Sequence, residues 1–285
     1  MQNLALARNL LFTPADRPER FEKAIAVGAD GAVLDLEDGV GLSSKQKARE
    51  AALALFQAPP SAPADFIWAA RLNHITTEDG LKDLLAFRAA ARRPNVVMLP
   101  KTESVAEVEI AVRHLKDAAD EGPQIVALIE TGRGLGAAET IAAHPAVAAI
   151  AFGGADLAAD LHASLAWQPV LFARSRIVQA AAAAAVAALD VPFLDIHDMA
   201  GLSNETEMVK ALGYSCKLAI HPAQIAPINA VFTPDSKELA SARRIVDAFK
   251  QARGGACQVD GRMVDVPVVK AAQRTVALAE RKAAA

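Results

Sequence analysis

The sequence predicts an α/β fold, a TIM (β/α)8 barrel with a C-terminal helical arm. Short β-type runs alternate with longer helical runs almost from end to end, and there are eight such strand–helix units. A length of 285 residues suits one large barrel domain. An open doubly wound sheet is the alternative, but no Gly-rich dinucleotide fingerprint follows the first strand. We therefore assign residues 1–234 to the barrel and residues 235–285 to the arm.

The predicted strands are short apolar runs bounded by polar or turn-forming residues. They span residues 9–13, 32–36, 66–72, 96–99, 125–129, 147–152, 191–195 and 216–220. Cys216 lies in the last of these runs, and we expect it to be a buried core thiol.

The predicted helices lie between the strands, and several of their ends carry capping signals. Pro18 and Pro222 suit the first turn of a helix, Ser203 opens a segment that resembles an N-terminal cap region, and Gly213 suits a left-handed C-cap. The predicted helices span residues 18–27, 44–56, 77–88, 104–120, 135–143, 169–189, 203–212 and 222–231. In the arm we expect a helix over 237–253, a short β-like stretch over 257–264 and a last helix from Val268.

Composition excludes several classes of function. The net charge is -3 and no basic tract stands out, which argues against nucleic acid as a partner. The two cysteines, Cys216 and Cys257, are far apart and have no CxxC spacing, so neither a disulfide framework nor a zinc site is indicated. The most apolar long window, 178–189, is too short to span a bilayer, and no signal peptide is evident at the N-terminus. We expect a cytoplasmic protein without membrane contact.

Charged or polar residues follow nearly every predicted strand, at the rim where active sites of barrel enzymes lie. One such residue alone is as readily a salt bridge or helix cap as a functional group, but the whole set is difficult to explain by stability. The set is Asp16, Arg17, Asp35, Glu37, Asp38, Arg71, Asn73, Lys101, Glu130, Arg133, Asp156, Asp195, His197 and His221.

Glu130 and Asp156 are the best candidates for metal ligands. Each follows an apolar strand, and neighbouring parallel strands would bring both carboxylates to the same rim. Two carboxylates without a Cys or His cluster describe a site for a hard cation such as Mg²⁺, which leaves coordination positions open for water and substrate oxygens. The sequence therefore indicates metal-assisted chemistry on an oxygen-rich substrate.

Arg71 and Lys101 are the cations of the predicted rim. An arginine fork can hold a carboxylate or a developing enolate oxygen by two parallel hydrogen bonds, and the alternative for Arg71 is an ion pair with Glu37 or Asp38. A rim lysine can form a Schiff base with a ketone, but the surrounding carboxylates should keep Lys101 charged.

Six motifs together resemble the citrate lyase beta-subunit-like family, which comprises CoA-ester lyases of the HpcH/HpaI aldolase and malyl-CoA lyase group. They occur in order, and the resemblance runs from about Asn9 to the last helix. The motifs are LFTPADRPERF (11–21), LDLEDG (34–39), LPKTES (99–104), LIETGRG (128–134), AIHP (219–222) and GRMVDVP (261–267).

The resemblance implies a TIM barrel that forms a homotrimer, with Mg²⁺ (or Mn²⁺) bound by Glu130 and Asp156. It implies that Arg71 binds the carboxylate and carbonyl of an oxo or hydroxy acid. It also implies that the arm closes over a neighbouring subunit's site, where Asp265 acts as the acid/base. Glu37, Asp38 and Lys101 complete the expected substrate site, and the expected CoA contacts are Phe12, Arg17, Lys23, Lys45 and Arg49.

The chain departs from its relatives at three positions. Many relatives have alanine where this chain has Gly132, and an acidic residue where it has Ala155. Glu19 stands where some relatives have a basic residue, which bears on the CoA contacts. None of these changes removes a proposed metal ligand, but the first two could alter the acyl site.

The function implied is reversible cleavage of a (3S)-3-hydroxyacyl-CoA, such as malyl-CoA or citramalyl-CoA, into acetyl-CoA and glyoxylate or pyruvate. Three alternatives stay open. One is a citrate lyase beta subunit that acts on citryl-acyl carrier protein together with a lyase alpha subunit. The others are a metal-dependent aldolase that acts on free 2-oxo acids without CoA, and a non-catalytic barrel that binds metabolites.

Overall fold

The computed structural model describes residues 4–116 and 122–284, and it confirms the predicted TIM barrel. Eight parallel strands close into a barrel in chain order, with β8 pairing to β1. The strands are β1 (Asn9–Pro14), β2 (Gly31–Asp35), β3 (Ile67–Arg71), β4 (Val96–Leu99), β5 (Gln124–Ile129), β6 (Val147–Phe152), β7 (Ala187–Asp190) and β8 (Cys216–Ala219).

The barrel interior is filled by alternate residues of the strands, as the two-residue period of a strand requires. Val96 and Met98 of β4 and Val126 and Leu128 of β5 show this spacing, and all four are buried in one cluster. Cys216 belongs to the same cluster and is fully buried, as predicted. The interior is a packed core, so chemistry is confined to the ends of the strands.

Helices cover the outside of the barrel, and most begin near the predicted residues. Thr77, Ser104 and Thr131 cap three of them by accepting a hydrogen bond from a backbone N–H of the first turn. The helices of the barrel are α1 (Arg20–Ala26), α2 (Lys45–Gln57), α3 (Glu78–Ala89), α4 (Val105–Leu115), α5 (Gly132–Ala142), α6 (Gly154–Asp160), α7 (Trp167–Ala184), α8 (Met199–Leu212) and α9 (Ile225–Phe232). The predicted end of the fourth helix, over 117–120, lies outside the described residues.

The region between α7 and α8 corrects the sequence prediction. The strand expected at 191–195 lies four positions earlier, at Ala187–Asp190, because the helix expected to continue to residue 189 ends at Ala184. Helix α8 begins at Met199 with Asp198 as its N-cap, so Ser203 is not a cap. The polar residue at the end of β7 is therefore the buried Asp190, not Asp195.

The chain divides into two compact units, Met1–Asn229 and Ala230–Ala285. In the second unit α10 (Ser236–Gln251) packs on α11 (Val266–Ala284), and β9 (Cys257–Val259) pairs antiparallel with β10 (Arg262–Val264). Asp260 and Gly261 form the turn of this hairpin, both with positive φ, which is the conformation that an Asp-Gly turn favours. The predicted boundary after residue 234 falls inside this second unit.

Across the described ranges, every helix is too short or too polar to cross a bilayer.

Candidate active site

A cavity of about 330 Å³ lies at the carboxyl ends of the barrel strands, where the rim residues were expected to meet. Arg71, the last residue of β3, lines this cavity together with Glu130, which directly follows β5. Asp156 lines it from the first turn of α6, the short helix directly after β6. The structure thus brings together the three residues that the sequence singled out first.

Glu130 is buried and held in one orientation. Its Oε2 accepts the backbone N–H of Lys101 at 2.7 Å, and no hydrogen bond to its Oε1 is present among the described residues. Gly153 packs against this side chain so closely that a Cβ at that position would collide with Glu130. Burial raises the pKa of Glu130 to about 7; the charge of Glu37 adds to the rise, while Arg71 and Lys101 oppose it. Glu130 is thus a fixed oxygen donor that a cation would convert to its charged form.

The donor set fits Mg²⁺, which commonly takes one or two protein carboxylates and fills its other positions with water and substrate oxygens. Asp156 is 45% exposed and faces the same cavity as Glu130. Within the described ranges, no three His, Cys, Asp or Glu side chains are grouped so that they could hold a metal by themselves. The arrangement therefore suits a cation whose remaining ligands come from water and substrate.

Arg71 is anchored by a carboxylate that the sequence placed at the rim without assigning it a specific role. Asp35, the last residue of β2, accepts hydrogen bonds from Nε and Nη2 of Arg71, each at 2.7 Å. The backbone N–H groups of Glu37 and Gly39 also donate to Asp35, so its carboxylate is held from several sides. The expected partner Glu37 lies 2.9 Å from Nη1. Its own pKa is raised by burial, although Arg71 and Lys101 oppose the rise.

The anchored guanidinium still has donors to offer. A guanidinium carries five N–H groups, and the hydrogen bonds to Asp35 occupy two of them, which leaves three. Glu37 faces Nη1 at 2.9 Å as an ion pair without a hydrogen bond, so N–H groups of Arg71 remain for a ligand in the cavity. Arg71 also lies over the ring of Phe12, with its Cζ 4.8 Å from the ring centroid. Burial alone would lower the pKa of Arg71, but Asp35 and Glu37 raise it, so the side chain is a permanent cation.

Lys101 connects the carboxylates around the cavity. Its Nζ lies 2.6 Å from Glu37, 3.8 Å from Asp38 and 3.7 Å from Asp156. Burial would lower the pKa of Lys101, but the hydrogen bond and charge of Glu37, with Glu130 and Asp38, raise it above its ordinary value. A Schiff base requires a neutral amine, so this environment disfavours that mechanism.

The residues expected to contact CoA are scattered. Phe12 lines the cavity, whereas Arg17 and Lys23 are exposed and lie outside it. Lys45 is buried and donates to the carbonyl oxygens of Leu36 and Glu37, at 2.7 and 2.6 Å, so it fixes the loop that carries Glu37. Arg49 is buried and pairs with Asp79 and Asp83. The five CoA contacts stay predictions, and Lys45 and Arg49 have structural roles within the barrel.

Asp265 belongs to the second unit and precedes α11. Its Oδ1 accepts the backbone N–H of Val268 at 3.4 Å, and its carbonyl accepts the N–H of Val269, so it caps that helix. A structural role is thus established for Asp265, and its acid/base role stays a prediction.

The fold is a TIM barrel, and its candidate active site is the cavity at the carboxyl ends of the strands. The chain belongs to the HpcH/HpaI aldolase/citrate lyase family, whose family model matches residues 8–222. It is therefore a lyase of this family, as the six motifs predict.

Two curated proteins and one solved structure show how close the relatives are. The chain is 39% identical over 271 residues to the citrate lyase subunit beta-like protein of Mycobacterium tuberculosis, with 92% of each protein covered. It is 32% identical over 294 residues to mitochondrial citramalyl-CoA lyase of Homo sapiens, which covers 95% of this chain and 85% of the human protein. The crystal structure of CitE from Mycobacterium tuberculosis, in complex with magnesium, acetoacetate and coenzyme A, is similar with a TM-score of 0.78 and 38% identity, over 97% of this chain and 100% of that one.

Proposed function

We propose that the protein is a Mg²⁺-dependent lyase that reversibly cleaves a 3-hydroxyacyl-CoA, of the malyl-CoA or citramalyl-CoA type, into acetyl-CoA and a 2-oxo acid. The observation that carries this proposal is the cavity in which Glu130, Asp156 and the anchored Arg71 meet. The relatives support it, since one is named a citramalyl-CoA lyase and the CitE structure contains magnesium, acetoacetate and coenzyme A.

Glu130 and Asp156 would hold the cation, and the N–H groups of Arg71 that Asp35 does not occupy would bind the carboxylate or oxo oxygen of the acid. When bound, Mg²⁺ would supply Lewis-acid stabilisation of the oxygen on which negative charge develops. Because Arg71 is locked by Asp35 before substrate arrives, its charge is already oriented toward the transition state.

The bond that breaks joins C2 and C3 of the hydroxyacyl-CoA. The hydroxyl group on C3 would lose its proton to solvent, its oxygen would become the oxo group of the acid, and the bonding electron pair would pass to C2 as the enolate of acetyl-CoA. Asp265 would then protonate C2, or remove that proton in the direction of condensation. Reactant and products balance without a further co-reactant.

In this proposal the arm of one subunit delivers Asp265 to the barrel of its neighbour in a homotrimer. This arrangement derives from the resemblance of the GRMVDVP segment (261–267) to the arms of similar lyases.

The first test is oxo-acid release from malyl-CoA, β-methylmalyl-CoA, citramalyl-CoA and citryl-CoA, followed with a hydrazine reagent in Mg²⁺ and in EDTA. We expect release from at least one ester in Mg²⁺ and none in EDTA. Release that continues unchanged in EDTA would exclude the metal-dependent mechanism. Failure with every ester would exclude the proposed activity and favour the alternatives below.

A second candidate is a citrate lyase beta subunit that acts on a citryl-acyl carrier protein, since the Mycobacterium tuberculosis relative is named citrate lyase subunit beta-like. If this chain were such a subunit, it would be inactive alone and would copurify with its carrier protein and alpha subunit. A CoA-independent 2-oxo-acid aldolase would instead cleave free acids, and CoA would not change its thermal stability.

Asp265 offers a test that separates its two roles. Because asparagine caps a helix about as well as aspartate, Asp265→Asn should keep the stability of α11 but lack the titratable oxygen. We expect turnover to fall at least about 100-fold, with Mg²⁺ affinity and melting temperature unchanged. Asp265→Ala should lose turnover and also about 1 kcal/mol of stability. Normal turnover in Asp265→Asn would mean that the residue is only a helix cap.

A further inference from the structure

The cavity is divided into a charged half and an apolar half. Elements from β2 to the start of α6 supply its charged side chains, which are Asp35, Asp38, Arg71, Glu130 and Asp156. The apolar half comes from the other side of the barrel, from β1, from β8 and from the segments that follow β7 and β8. It consists of Phe12, Val191, Pro192, Leu194, Leu218 and Ile220.

The apolar half extends from the barrel interior to the mouth of the cavity. Leu218 is part of the buried barrel core, Val191 is buried above it, and Leu194 and Ile220 are 57% and 41% exposed at the mouth. A group bound along this wall would therefore meet hydrocarbon over its whole depth.

Two cations that adjoin this wall, Lys217 and Arg174, are neutralised by other residues. Lys217 is fully buried, with its Nζ 2.6 Å from Asp190 and 2.7 Å from Glu205. Arg174 lines an adjoining cavity, but Asp190 lies 3.0 Å from its Nε and Glu205 lies 3.4 Å from its Nη2. Among the described residues that line the substrate cavity, Arg71 is the single cation, and it lies on the charged half.

We infer that the 2-oxo acid handled by this enzyme carries a small apolar substituent, as pyruvate does, rather than a second carboxylate, as oxaloacetate does. This inference rests on the proposed function. The carboxylate and oxo oxygens of the acid are drawn to Arg71 and the metal ligands, so the substituent on the oxo carbon faces the apolar wall. A methyl group gains contacts there, whereas a second carboxylate would lose water and find no cation.

The expected discrimination follows from these two effects. One added methyl group in an apolar site changes kcat/KM by about 10-fold or more, so citramalyl-CoA should be preferred to malyl-CoA. An unpaired buried carboxylate is much less favourable against the apolar wall than a methyl group. We therefore expect kcat/KM for citryl-CoA to be at least about 100-fold lower than kcat/KM for citramalyl-CoA.

The test compares kcat/KM for the three esters in wild type, Leu194→Arg and Ile220→Arg. A cation on the apolar wall should reduce the ratio of kcat/KM for citramalyl-CoA to kcat/KM for citryl-CoA by at least about 10-fold. Leu85→Arg is the matched control, because Leu85 lies on α3 outside the cavity and is 58% exposed. We expect its selectivity to equal that of wild type.

Direct binding gives a readout that does not require turnover. With Mg²⁺ in excess, calorimetry on the full-length wild type should show tighter binding of pyruvate than of oxaloacetate, and Leu194→Arg should reverse or erase the difference. Oxaloacetate that binds wild type as tightly as pyruvate would overturn the inference, whether or not any ester is cleaved. Efficient cleavage of citryl-CoA would overturn it too, and would leave the proposed lyase activity standing.

Discussion

At the scale of single residues, Glu130 makes metal binding dependent on pH. Its pKa is raised to about 7, and a cation binds the charged carboxylate, so protons and metal compete for it. Mg²⁺ affinity should rise up to about 10-fold per pH unit from pH 5 to pH 7 and level off above pH 8. Calorimetric titration at five pH values measures this. A Mg²⁺ affinity that does not change over that pH range would contradict the raised pKa of Glu130. The Glu130→Gln variant should bind Mg²⁺ weakly at every pH.

The raised pKa of Glu130 also determines how the free energy of unfolding of the metal-free protein changes with pH. An acid whose pKa is higher in the folded state than in the unfolded state keeps its proton longer when folded. Its contribution to stability is therefore present below pH 4.5 and is lost as the pH rises through about 7. Added Mg²⁺ should restore stability above pH 7, since it binds the folded state.

Lys101 combines its charge with a strained backbone. Its φ is +47°, a left-handed conformation that is unfavourable for residues with a side chain, and this geometry accompanies the hydrogen bond from its N–H to Glu130. Lys101→Gly and Lys101→Ala both remove the ammonium, but only glycine adopts this φ without strain. We expect the alanine variant to be less stable than the glycine variant by about 1 kcal/mol and to bind Mg²⁺ about 10-fold more weakly. Urea unfolding and calorimetry measure the two effects, and equal values for both variants would show that the strain is not linked to Glu130.

The sequence could locate the rim residues but not their pairing. Asp156 and Glu130 follow strands that are neighbours in the barrel, so their meeting in one cavity follows from topology. The anchoring of Arg71 by Asp35 rather than by Glu37 alone depends on side-chain directions at adjacent strand ends, and no pattern in the chain encodes these. The left-handed Lys101 likewise carries no signal, since the residue is not glycine or asparagine.

At the scale of elements, β7 was predicted wrongly for an identifiable reason. The alanine run at 180–185 is followed, after Val186, by Ala187 and Ala188. Because alanine favours a helix, the sequence pattern predicts that α7 continues through the strand. The helix ends at Ala184, and its C-cap Ala185 has a φ of +56°, a conformation in which a glycine is usually found. The β-type residues that follow the strand form part of the apolar wall of the cavity instead.

A buried ion cluster ties these elements together. Lys217 of β8 and Arg174 of α7 share Asp190 at the end of β7 and Glu205 of α8. Lys217→Met would leave the buried Asp190 with one partner fewer and the carbonyl of Val191 without its donor. We predict a loss of about 3–5 kcal/mol in the free energy of unfolding. Lys47→Met, at an exposed position of α2, is the control and should change stability by less than about 0.5 kcal/mol. Denaturant unfolding of both variants measures how much the cluster contributes to the free energy of unfolding.

At the scale of the whole molecule, the proposed trimer predicts that two inactive variants complement each other. Glu130→Gln disables the part of the active site on the barrel, and Asp265→Asn disables the part on the arm. A site formed by the barrel of an Asp265→Asn subunit and the arm of a Glu130→Gln subunit therefore has both parts intact. Coexpression in equal amounts should restore about a quarter of the wild-type activity, since each half of a site is intact with a probability of about one half. Activity no higher than that of either variant alone would indicate that barrel and arm act within one subunit.

The barrel itself was predictable from the chain because its period is so regular. Seven of the eight strands lie where short apolar runs predicted them, since strands buried on both faces are nearly continuous apolar segments. The short helix α6 was missed because its seven residues are too few to show a helical repeat.

The division of the cavity into two halves has a consequence for how this enzyme family can diversify. The residues that would hold the cation and the acid come from one arc of the barrel, and those that meet the variable part of the substrate come from the opposite arc. Substrate range can therefore drift through replacements after β7 and β8 while the reaction chemistry is conserved. A directed-evolution library confined to Val191, Leu194 and Ile220 would explore new acids without touching Glu130, Asp156 or Arg71.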